Sequence, residues 1–120
     1  MTAPPVAAAL ALLSAAALAA CGPRDDLVDH KCPPDSTLTW DNFAGGFFDE
    51  WCQRCHGAPD GSRNGAPDQY NFDSRDAVEL HASLVYDMAA GANNAMPPGP
   101  NGPPSEQREE LADWLACGAP

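Results

Sequence analysis

Cys52-Gln53-Arg54-Cys55-His56 constrains this chain more than any other five residues in it. Two thiols one short turn apart can each add to a vinyl group of a single haem, and the histidine beside the second thiol is then held under the iron as its proximal ligand. Covalent attachment fixes the porphyrin edge and leaves the imidazole one place to go. Downstream, Met96-Pro97-Pro98 offers a thioether for the opposite coordination position. Two other readings of the cysteine pair stand beside this one. A redox dithiol of the thioredoxin kind wants a βαβ context, and no run of β-branched residues here could build a sheet. A structural zinc site wants a fourth ligand at knuckle-like spacing, whereas His30 and His81 stand about 25 residues away on either side and no second Cys-x-x-Cys exists.

From about Trp40 to Cys117 the chain resembles a small mono-haem class I cytochrome c. The likeness rests on the Cys52–His56 motif, on Met96-Pro97-Pro98, and on Leu111 with Trp114 near the C-terminal end. Phe48, four residues before the first haem cysteine, stands where the family has an aromatic on its N-terminal helix. That helix crosses the C-terminal one, and the aromatic packs near a Leu-x-x-aromatic pair. At the crossing, where the family usually has Gly, this chain has Ala44 followed by Gly45 and Gly46. The resemblance implies an all-α fold, a small cytochrome c of three to four helices around one covalent haem c, with His56 and Met96 as axial ligands. It also implies that a proline carbonyl in the loop after the motif accepts a hydrogen bond from the ligating histidine; Pro67 stands at about the right distance. Arg63 is a candidate for holding a haem propionate, with a solvated loop arginine as the alternative.

The chain has 120 residues, one small domain. Residues 1–20 carry no charge, and the Ala/Leu stretch from Val6 to Ala20 falls short of the roughly 20 residues that span a bilayer. It fits the apolar region of a secretory signal, and Leu18-Ala19-Ala20-Cys21-Gly22 resembles the bacterial lipoprotein signal, in which Cys21 is lipidated. The expected layout is therefore a signal peptide over 1–20, a flexible tether over 21–38 and the haem domain over 39–120. An extracytoplasmic protein results, on the periplasmic side and anchored to a membrane through lipid. Gly22 after Cys21, rather than an aspartate, points toward the outer membrane.

Five cysteines are an odd number for a secreted chain. With Cys21 assigned to lipid and Cys52 and Cys55 to haem, Cys32 and Cys117 remain. They bracket the domain, and an oxidising compartment would let them pair; two free thiols, or a bond to another chain, are the alternatives. The formal net charge of −11 speaks against nucleic acid or anionic lipid as partner. It suits a redox partner protein with a basic docking face, and equally plain solubility.

Helix signals complete the reading. A helix is predicted from Thr39, with Asp41 in its first turn, through Phe43, Phe47, Phe48 and Trp51 into Cys52. Gly45-Gly46 weakens it by about 1–2 kcal/mol relative to Ala, which close approach of another helix would offset. Gly57 to Gln69 reads as a loop. A second helix is predicted from an Asp73 or Ser74 cap to Gly91, with Ala77, Leu80, Leu84, Val85 and Met88 as its apolar positions. His81 beside that stripe reads as a surface or partly buried side chain. Met88 reads as core, which leaves Met96, in a Gly/Asn/Pro loop, as the thioether able to reach an iron. A last helix is predicted with Ser105 as cap, Glu106 in its first turn, Leu111, Trp114 and Leu115 as its apolar face, and Gly118 as its stop. Phe47, Trp51 and Tyr70 are candidate neighbours of the ring.

The function these features support is electron transfer rather than catalysis. Its competitors are a haem sensor or accessory domain of a redox enzyme with an open sixth site, and a non-haem thiol or metal module built on Cys52 and Cys55.

Overall fold

The computed structural model describes residues 25–57 and 63–120; the expected signal segment over 1–20 and Cys21, the expected lipidation site, lie outside the described residues. Among the described residues the architecture is all-α, without a strand. A π-helical turn, Trp40–Ala44, runs directly into α1, Gly45–Trp51, and a bend at Cys52 leads to α2, Gln53–His56. There follow α3, Arg75–Leu80, α4, Ala82–Ala89, and α5, Ser105–Ala116.

The first helical segment starts where the sequence places it. Thr39 Oγ1 accepts from the Asn42 amide at 3.2 Å and Asn42 Oδ1 accepts from the Thr39 amide at 2.7 Å, a capping box with Asn in the position usually held by Glu or Gln. Gly45 is small for a reason other than a helix crossing. A Cβ there would lie 3.0 Å from the Trp40 carbonyl and 3.1 Å from its indole Nε1, while Gly46 faces open space. The Trp40 ring thus folds back on its own helix, and the contact between α1 and α5 is made by large side chains. Phe48 and Trp114, both fully buried, have ring centroids 6.1 Å apart, with Trp40 at 5.9 Å from the first and 6.1 Å from the second. Leu111, Ala112 and Leu115 share the buried face of α5 with Trp114 and Arg108.

The predicted second helix is two. Ser74 caps α3, its hydroxyl accepting from the Ala77 amide at 3.3 Å, but His81 leaves helical geometry at φ −116°, ψ 22° and its amide bonds to Val78. The break turns the His81 ring edge-on to Tyr70, centroids 5.1 Å apart, and toward Phe72. It also shifts the register of the apolar stripe: Leu80 is 80% exposed, whereas Val78, Val85, Tyr86 and Ala89 are buried. At α5 the cap differs as well. Pro104, in extended backbone, holds the cap position, Ser105 is already helical and no side chain caps the end. Gly118, at φ +86°, stops the chain after α5 as expected.

From Asp25 onward the predicted tether is part of the domain. Cys32 and Cys117 form a disulfide. His30 Nε2 lies 2.8 Å from Asp113 Oδ1 on α5, and its Nδ1 lies 3.0 Å from the Tyr86 hydroxyl, which donates to Asp25 Oδ1 at 3.0 Å. Leu27 and Leu38 pack against the core. Asp, His and Pro made the segment look solvated because their partners lie far away along the chain. No helix among the described residues is long and apolar enough to cross a membrane.

Candidate functional site

The Cys-x-x-Cys-His run is one turn hung on a single carbonyl: the amides of Cys55 and His56 both donate to Cys52 O, at 3.1 and 2.9 Å. Cys52 ends α1 and caps α2. Gly57 follows because a Cβ there would come within 2.6 Å of the Gln53 carbonyl. The chain then returns so that the Phe72 amide donates to His56 O at 2.7 Å, placing the Phe72 ring 4.9 Å from the imidazole.

The orienting bond of His56 comes from Tyr70 rather than Pro67. Nδ1 lies 2.8 Å from Tyr70 O; a carbonyl only accepts, so Nδ1 carries the proton and Nε2 of the neutral ring keeps its lone pair. The Pro67 carbonyl is engaged by Arg63 at 2.9 Å instead. The carbonyl that meets the ring therefore lies three residues further along the chain than counting from His56 suggests.

Arg63 lines the cleft and holds its own loop together. Its Nε donates to Ala66 O at 3.2 Å, one terminal nitrogen to Gly57 O and to Asn71 Oδ1, the other to Pro67 O and Tyr70 O. A guanidinium has five N–H donors, and all five are committed to the loop. The Asp68 carboxylate, at 3.5 Å from Nε, is almost wholly exposed and adds little. Arg63 therefore ties together the loop that orients His56, sharing the Tyr70 carbonyl with it.

Cys52, Cys55, His56 and Met96 all line one half-open cleft of about 400 Å³, in the size range of small-molecule and cofactor sites. Trp51 and Tyr70 line it as expected, and Phe48 and Phe72 join them. Phe47 does not: it is buried in the core against Phe43 and Phe48. The facing wall comes from α4, through Leu84, Val85 and Met88. Met88 is thus no core residue. It is 38% exposed, close to the 39% of Met96, and the two are linked by the Met96 amide donating to Met88 O at 2.8 Å.

Burial dominates the electrostatics. It pushes the Cys52 thiol up to about 12, with Arg108 opposing the shift and Cys55 adding to it, so Cys52 is a protonated thiol at neutral pH. Arg108, which the sequence reading passed over, is 7% exposed, and burial lowers its pKa. One terminal nitrogen donates to the carbonyls of Ala89 at 2.8 Å, Met96 at 2.9 Å and Asn93 at 3.2 Å. The signal for it was present: it is the one basic residue of α5, spaced three, four and seven residues from Leu111, Ala112 and Leu115 on the buried face.

The residues fit a covalently held haem: two free thiols, an imidazole with one nitrogen fixed, and a thioether around a largely apolar cleft. Among the described residues no group of three or more His, Cys, Asp or Glu side chains is placed to hold a metal ion, so a four-ligand zinc site has no donor set there. Comparisons with protein families, with curated proteins and with solved structures return no match to this chain.

Proposed function

We propose that the chain is an electron carrier of the small class I cytochrome c kind, holding one haem c through Cys52 and Cys55 with His56 and Met96 as axial ligands. The observation that carries this reading is the convergence of both thiols, the imidazole and a thioether on one apolar cleft. When bound, the haem iron supplies one-electron chemistry, with the His/Met ligand pair raising its potential. The two cysteines tether the group. Tyr70, held by Arg63, fixes the His56 tautomer and raises the basicity of Nε2. The aromatic and aliphatic walls exclude water from the ring faces. The Cys32–Cys117 disulfide supports an oxidising, extracytoplasmic setting, and a lipid anchor at Cys21 would hold the protein at a membrane.

The test is a visible spectrum, oxidised and reduced, of protein made in cells with a cytochrome c maturation system. Sharp reduced bands and the weak long-wavelength ferric band of sulfur ligation are expected, and Met96→Ala should abolish the weak band. If Met88→Ala abolishes it instead, the ligand is Met88. A high-spin spectrum that shifts with carbon monoxide favours the sensor reading. A colourless protein ends the haem reading.

A further inference from the structure

We propose that Arg108 is the positioning residue for Met96: reaching from α5, it fixes the Met96 segment through the Met96 carbonyl and so sets how firmly the thioether holds the sixth coordination position. The assignment rests on the haem reading above.

Three observations carry it. First, a buried cation needs compensation, and among the described residues no carboxylate lies within ion-pair distance of Arg108. Its partners are backbone carbonyls at the end of α4 and in the loop that follows, ending at Met96 itself. Charge-assisted bonds of this kind are about twice as strong as neutral ones. Second, the Met96 peptide is held from both sides, its carbonyl by Arg108 and its amide by Met88 O. The loop between them is further pinned by the Gly91 amide, which donates to the Arg108 carbonyl at 2.8 Å. Third, the loop leaves room for the guanidinium. A Cβ on Gly102 would stand 2.9 Å from Arg108 Nη2, so any larger residue there must move the arginine head.

This arrangement makes the sixth ligand dependent on a helix that contributes no side chain to the cleft. A thioether is a weak ligand on a loop of Gly, Asn and Pro, and the strength of its bond to iron depends on how little that loop moves. Arg108 acts through the Met96 backbone and touches no reacting atom, so its removal should loosen the ligand in protein that carries its haem.

The experiment titrates the ferric holoprotein with imidazole, which competes with the thioether. Arg108→Met should bind imidazole about tenfold or more tightly than the parent, the scale of one lost charge-assisted hydrogen bond. Gly102→Ala, which displaces the arginine head and leaves its charge, should shift in the same direction by less, and Arg108→Lys should fall between the parent and Arg108→Met. Hydrogen exchange at the Met96 amide should quicken in the same order. If melting temperature falls while imidazole affinity and the sulfur band stay as in the parent, Arg108 is structural only and the proposal is overturned. Should Arg108→Met fail to mature, Gly102→Ala decides: unchanged affinity overturns the proposal. A colourless parent removes the haem reading and this assignment together, whereas a coloured parent whose variants bind imidazole equally removes only the role of Arg108.

Discussion

Tyr86 illustrates how one hydroxyl joins distant parts of this chain. It is fully buried, donates to Asp25, and lies 3.0 Å from His30, which in turn meets Asp113. Tyr86→Phe removes the link while keeping the ring, and should lower stability by about 1–3 kcal/mol in a chemical denaturation curve. Burial first, then the bond to Asp25, raises the Tyr86 pKa well above the usual 10.0. A folded-state pKa above the unfolded one means that this stabilisation is complete below about pH 10 and is lost as pH rises toward the folded value. In an absorbance titration of the two tyrosines, Tyr86 should ionise only together with loss of structure; a simple titration near its ordinary value would contradict the buried geometry. None of this was legible from residue types. The motif residues Cys52, Cys55 and His56 announce themselves because their chemistry depends on local spacing, whereas Tyr86, Tyr70 and Arg108 act through partners 12 to 61 positions away.

At the scale of elements, helix starts and stops were legible where local chemistry sets them: Thr39, Ser74 and Gly118 do what their types suggest. The break at His81 was not, because it answers to Tyr70 and Phe72 rather than to its own neighbours. The aromatic contact of α1 with α5 was visible in Phe48 and the Leu111/Trp114 pair; what misled was Gly45-Gly46, which suggested close backbones where Gly45 makes room for Trp40 instead. Truncating either ring is therefore expected to be severe: Phe48→Ala or Trp114→Ala should lose about 3–5 kcal/mol, against near-neutral behaviour for Leu80→Ala, which sits in solvent. Measuring all three by urea melts separates the observed register from the predicted one.

For the whole molecule, the disulfide matters most to stability. Cys32 and Cys117 are 85 positions apart, and a loop of that size corresponds to about 4–5 kcal/mol in the chain-entropy model. The double variant Cys32→Ser/Cys117→Ser should accordingly show a lower denaturation midpoint, and the parent should match it when reduced. Composition made the pairing legible, because counting cysteines left these two; it hid the docking of residues 25–38. The net charge of −11 adds a kinetic expectation tied to the proposed function. Electron exchange with a cationic partner should slow steeply as ionic strength rises from about 0.01 to 0.15 M, over which the Debye length shrinks from about 30 to 8 Å.

The position of the disulfide also decides how the domain bears a pull. Tension applied at the N-terminal end of the chain passes along Asp25 to Lys31 and then through a covalent bond into Cys117, directly after α5. Everything between the two cysteines, the Cys52–His56 turn and the Met96 loop included, lies inside a closed covalent ring and is shielded from that load. Stretched from that end, the oxidised protein would give up the contacts of Asp25 and His30 but keep its ring closed until the disulfide is broken, while the reduced protein would unravel from Asp25 through Leu38 into the very helix that leads to Cys52.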